Sequence, residues 1–131
     1  MYQIESFKNK YKSIKGIEKI FYYNIDFHYW SYLYKIQSIH IFKDYDNAEW
    51  KEISNLKLLL STSDETLFVE FLFRNIVEFH LDDIFGVSDF EIEPNDDSAF
   101  GNERLFLVTS NEGYGMNFFC KEIEILNVSH N

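Results

Sequence analysis

Apolar residues recur at every second position in short runs that follow one another closely. Val77, Phe79 and Leu81 alternate with Glu78, His80 and Asp82, and Phe90 and Ile92 alternate with Asp89, Glu91 and Glu93. Leu105, Leu107 and Thr109 are followed, after Asn111-Glu112-Gly113, by Met116, Phe118 and Cys120, which reads as a hairpin. Ile123 and Ile125 then alternate with Glu122 and Glu124. A period of two is the period of a strand with one face in a core and one in water. Upstream, Ile36–Lys43, Leu56–Ser61 and Leu67–Arg74 read as further strands. The first is broken by Asp44, Asp46 and Asn47, and the second by Ser61-Thr62-Ser63-Asp64. Pro94 ends the Phe90–Glu93 run, because proline has no N–H to donate to a ladder. Strands this close cannot be joined by the long crossovers that parallel pairing needs. The expected fold is therefore mainly β: an antiparallel sheet or two-sheet sandwich of about seven short strands.

One helical pattern precedes the strands. Ile4, Phe7, Tyr11 and Ile14 recur at spacings of 3, 4 and 3, with lysines between them, and Gly16 is a natural stop. A single domain over residues 1–131 is expected, with a short amphipathic helix at 1–16 and a β-rich body at 17–128. A basic amphipathic helix can lie on an anionic membrane, but this stripe is short and the body is acidic, so docking on the body is expected. Phe21–Tyr34 (FYYNIDFHYWSYLY) has no clean period and reads as an irregular loop packed under the core. The 14 Phe, 9 Tyr and 2 Trp exceed what one small core usually needs. They either fill a sandwich or lie in part on a binding face.

Charge and composition exclude several classes. With 46% hydrophobic residues the chain is not disordered, and with one Pro and five Gly it is not fibrous. A single cysteine, Cys120, rules out a disulfide scaffold. No apolar leader opens the sequence, and the longest apolar runs, such as Leu58–Leu60 and Leu67–Val69, fall far short of the ~20 residues of a membrane span. A cytoplasmic protein with a reduced thiol is the expectation. The net charge is −10. Residues 1–21 hold five lysines against Glu5 and Glu18, a net of +3, leaving −13 on the other 110. Such a body repels nucleic-acid phosphate and attracts basic partners.

The sequence offers little catalytic chemistry. Gly113-Tyr114-Gly115 lacks the third glycine and the following helix of a phosphate loop. His28, His40, His80 and His130 are too scattered for a zinc motif, and no Gly-x-Ser-x-Gly elbow is present. No metal, cofactor or catalytic role is expected. Cys120 with His28 or His80 is the one conceivable nucleophile pair, but a cysteine sharing a strand face with Met116 and Phe118 reads as a small buried hydrophobe. His80 falls on a wet strand face, and His28 reads as a partly buried ring bonded to backbone. Asp82-Asp83 and Asp96-Asp97 are the densest acidic spots and lack the spacing of a calcium loop.

Three stretches carry a family resemblance: Ile25-Asp26-Phe27-His28 leading into Ile36-Gln37-Ser38-Ile39; Phe73 through Leu81 (FRNIVEFHL); and Tyr114 through Ile125 (YGMNFFCKEIEI). Together they make the chain, from about residue 17 onward, resemble the bacterial immunity proteins of polymorphic toxin systems, of the type called immunity protein 50. Where that family often has Asp after its His, this chain has Tyr29. The resemblance implies a non-catalytic protein that blocks a cognate toxin. An acidic, aromatic-rich surface suits a basic, nuclease-like toxin, whose groove it would fill with carboxylates. The expected contact residues are Asp82, Asp83, Glu91, Glu93, Asp96 and Asp97, with His28 and Trp30 as ring anchors. A toxin-blocking protein is expected to show an exposed acidic patch beside apolar surface and no pocket with convergent polar groups. The competing expectation is a small enzyme or ligand-binding module using His28, His80 or Cys120 in a concave pocket with a perturbed titratable group inside. Oligomeric state is not legible at this level.

Overall fold

A computed structural model describes residues 2–81, 89–95, 104–110 and 115–131 of the chain. It is mainly β, with eight strands in two antiparallel four-stranded sheets. Helix α1 (Tyr2–Lys10) and helix α2 (Glu18–Tyr23) come first, then a single 3-10 turn at Trp30–Tyr32. The strands are β1 (Lys35–Asp46), β2 (Lys51–Ser61), β3 (Leu67–Arg74), β4 (Val77–Leu81), β5 (Glu91–Pro94), β6 (Phe106–Thr109), β7 (Met116–Cys120) and β8 (Glu122–His130). One sheet has the order β1-β2-β3-β8 and the other β4-β7-β6-β5.

Each sheet is a three-stranded meander plus one strand that arrives from the other. β3 pairs with β8 up to Arg74 opposite Glu122, and β4 pairs with β7 from Val77 opposite Phe119. The register is the same on both sides, so one antiparallel ladder turns a corner and passes from sheet to sheet. Strands that bend across two sheets are how such corners are made. The bend is at Asn75, a buried residue with φ of +55°, a conformation that Asn tolerates better than most residues. Its N–H donates to Asn55 Oδ1 at 3.0 Å, the Ile76 N–H donates to the Ser54 carbonyl at 2.8 Å, and the Lys121 N–H donates to the Arg74 carbonyl at 3.0 Å. β2 thus braces the corner.

On β5, β7 and β8 the period-two pattern buries the residues it predicts, but on β6 the buried face is the other one. Leu105 is exposed and Leu107 half-buried while Phe106 and Val108 are buried, because both parities of that run are apolar and alternation cannot choose between them. Met116, Phe118 and Cys120 are wholly buried on β7, as are Leu56, Leu58 and Leu60 on β2 and Ile92 on β5. Phe73 of one sheet meets Phe118 of the other edge-on, with ring centroids 5.1 Å apart, at the centre of the sandwich. At one end the core becomes aromatic: Trp30 lies 5.1 Å from Phe7, 5.2 Å from Tyr11 and 5.9 Å from Phe71. Rings tilted or edge-on at these spacings are the favourable arrangement.

The N-terminal region departs from the pattern read in the sequence. The helix over 1–16 stops at Lys10, and turns carry the chain through Tyr11 and Ile14, both buried. The segment 21–34 does pack under the core through Phe27, Trp30 and Leu33, but Phe21–Tyr23 belong to α2. Six residues with only Ile20 buried are too short to show a helical period. β1 and β2 also run longer than their apolar stretches, because the mostly polar residues 42–46 and 51–55 pair with each other as a ribbon. No described helix is long and apolar enough to cross a membrane.

Candidate functional site

Strand β5 turns Ile92 into the core and leaves Glu91 half-buried and Glu93 exposed on its other face. Helix α1 lies beside it. The buried Tyr11 hydroxyl, in the turn after α1, donates to the Ile92 carbonyl, and Lys10 forms a 3.1 Å ion pair with Glu93. On the far side, the Asp26–Tyr32 segment carries His28 and Tyr29, with the buried Trp30 next in the chain. Between these elements is an open cleft of about 530 Å³, whose walls include Lys10, Tyr11, His28, Tyr29, Trp30, Glu91 and Glu93.

Electrostatically the cleft is unbalanced. Burial pushes the Glu91 carboxyl above its ordinary pKa; the Glu93 charge adds to this, and Lys10 opposes it. Lys10 is also held above its usual range: burial pulls it down, but its bond to Glu93 and the proximity of Tyr11 outweigh that. Burial raises the Tyr11 phenol likewise. The Trp30 N–H is a buried donor with no acceptor at bonding geometry, although it sits near enough to the Tyr11 hydroxyl to oppose that rise. His28 donates from Nδ1 to the Asp26 carbonyl at 2.6 Å, which leaves Nε2 of the neutral ring as an acceptor. Its ring lies 4.2 Å from Tyr29 and 6.0 Å from Tyr32, so the rim is aromatic. Carboxylates beside ring faces are a receptor for a cation carrying N–H donors.

Four of the residues expected to contact a partner, Glu91, Glu93, His28 and Trp30, come together here although more than 60 positions separate the two pairs. Trp30 is part of the buried floor, not an exposed anchor; Tyr29 holds the exposed ring position. Asp82, Asp83, Asp96 and Asp97 lie outside the described residues. His28 has the backbone bond expected of it. His80 is exposed on β4 and does not line the cleft. Cys120 is wholly buried, and burial pushes its thiol pKa far up, so it packs as an apolar side chain in the core. A buried thiol of raised pKa is a poor nucleophile, whereas a concave pocket with a perturbed titratable group, expected of the competing reading and not of the toxin-blocking one, is present. Among the described residues, no three His, Cys, Asp or Glu side chains cluster as a metal site requires. Lys10 and Tyr11 were missed, because nothing local signals that α1 will pack beside a strand some 80 positions away.

No protein-family model, no curated protein sequence and no solved structure matches this chain.

Proposed function

We propose that this is a non-catalytic binding protein that neutralises a cognate bacterial toxin, receiving a basic side chain of that toxin in the cleft between α1, β5 and the Asp26–Tyr32 segment. One observation carries the reading. Glu91 is a half-buried carboxylate whose pKa is raised and which has no ion pair of its own among the described residues. An ammonium or guanidinium entering the cleft would relieve that cost, with the Tyr29 and His28 rings beside it. The net charge of −10 supports the choice of a basic, nuclease-like protein over nucleic acid or an anionic membrane as partner. A cytoplasmic location, where Cys120 stays reduced, belongs to the same reading. The immunity role itself rests on the family resemblance.

The test is co-expression with the product of the neighbouring gene, scored by growth rescue, and calorimetry of the purified pair. Glu91→Gln with Glu93→Gln is expected to weaken association about 10–100-fold, and most steeply at low ionic strength. Affinity should rise with pH as Glu91 ionises, because a bound cation favours its charged form. Absence of both rescue and binding would defeat the proposal. The cleft's volume also suits a small cationic ligand. A thermal shift with free polyamines, lost in the same double variant and without any protein partner, would favour that second reading.

A further inference from the structure

β1 is an edge strand of its sheet, and no described strand pairs with its outer side. The opposite edge of that sheet, β8, is covered: the Lys15 N–H donates to the Ile123 carbonyl, the Ile125 N–H donates to the Lys15 carbonyl, and Lys19 Nζ reaches the Leu126 carbonyl. Among the described residues no backbone–backbone bond reaches the outer side of β1 from Ser38 to Asp46, and the Tyr45 N–H donates to Asp44 Oδ1 at 2.8 Å. The far half of the β1–β2 hairpin is moreover a two-stranded ribbon, since β3 pairs with β2 only from Leu56 onward. That ribbon carries exposed Tyr45, Trp50 at its turn is 80% exposed, and Ile41 just before it is exposed too. A two-stranded ribbon is marginal in water, and a bare edge invites another strand.

The side chains indicate which strand. After the bulge between Ile36 and Ser38, β1 runs regularly for nine residues, with Phe42 at the middle. Residues 39, 41, 43 and 45 share the face of Leu56 and Leu58, and residues 40, 42 and 44 the opposite face. If a second β1 adds antiparallel with full overlap, the two-fold axis falls at Phe42 and every residue meets one on its own face. His40 then lies opposite Asp44 of the other copy, twice, Ile39 opposite Tyr45, Ile41 against the Lys43 stem, and Phe42 against itself. Moving the axis to Lys43 or Asp44 would set like charges against each other, and moving it to Ile41 would lose both His–Asp pairs. Lys43 is already neutralised by Glu52 at 2.9 Å, and Asp44 retains a second oxygen for His40.

We infer that the protein self-associates through β1, two copies joining their hairpins edge to edge in a two-fold dimer centred on Phe42. Only a strip is buried, so association is weak and concentration-dependent. The test is sedimentation velocity of the full chain over roughly 10–500 µM, with wild type, His40→Glu, Asp44→Lys and the double variant. His40→Glu sets carboxylates opposite one another and Asp44→Lys takes away the acceptor that His40 meets, and each is expected to weaken dimerisation about tenfold; the double change sets Glu opposite Lys and should return it to within about threefold of wild type. Within a copy, His40 lies opposite Lys57 and Asp44 opposite Ile53, so both changes are compatible with folding, and thermal melts of the same samples check this. A wild type that is monomeric throughout, or single variants that dimerise as wild type does, would overturn the inference. So would folded single variants whose loss the double change fails to rescue.

Discussion

Glu91 shows how one side chain's surroundings set its chemistry. It shares a strand face with Glu93, but Lys10 pairs with Glu93 and leaves Glu91 to bear its burial with no ion pair of its own. A carboxyl whose native pKa is raised binds more protons folded than unfolded, so stability falls as pH rises from the ordinary value of 4.5 through the native one. Glu91→Gln removes the ionised form. It is expected to raise the melting temperature at pH 7 and to have little effect at pH 4, where the native carboxyl is already protonated. Melts across this range check it; a gain of equal size at both ends would point to packing instead of charge. The alternation around Ile92 already marked Glu91 as outward-facing. What it faces was not legible, because Lys10, Tyr11 and His28 are distant in sequence and are brought there by the packing of α1 and the aromatic segment.

The linker between α1 and α2 behaves as an element in its own right. Lys15 bridges Glu124 in parallel, and the chain then turns at Gly16, with φ of +81°. A Cβ at Gly16 would collide with the Ile125 carbonyl oxygen, so both the backbone angle and the close approach require glycine here. Gly16→Ala is expected to cost about 1–3 kcal/mol and to loosen the cover over β8. Denaturant unfolding gives the first quantity, and faster amide exchange at Ile125, whose N–H donates to Lys15, reports the second. The sequence marked Gly16 as a stop for a helix, but its work is different: the helix has already ended at Lys10, and Gly16 lets the chain pass close to a strand. A glycine's need for a positive φ looks the same in either setting.

At the scale of the molecule, the corner at Asn75 joins the two sheets through a continuous ladder. Unfolding one sheet would strip pairing from the other, so the two should melt together. Asn55→Ala removes the acceptor that holds the Asn75 N–H and is expected to cost about 1–3 kcal/mol. Far-ultraviolet circular dichroism and tryptophan fluorescence should shift by the same amount, since Trp30 sits between Phe7 and Phe71 and reports the core directly. Separate transitions for the two probes would show that the corner does not couple the sheets. The surplus of aromatic residues resolves at this scale too. Phe71, Phe73, Phe90 and Phe118 fill the sandwich, while Tyr22, Tyr23, Tyr29, Tyr32, Tyr34, Tyr45 and Trp50 remain exposed.

Alternation and turn chemistry alone determined that this chain is an antiparallel β protein, which faces of β5, β7 and β8 are buried, and that Cys120 belongs with Met116 and Phe118 in the core. Those are local properties: a period of two selects a face whatever the partner strand is. Tertiary structure alone decided the pairing of β3 with β8, the passage of one ladder through both sheets, and the meeting of α1, His28 and β5 around a cleft. Each depends on which distant surfaces bury one another, and that is settled by the whole chain's shape and charge, not by any window of its sequence.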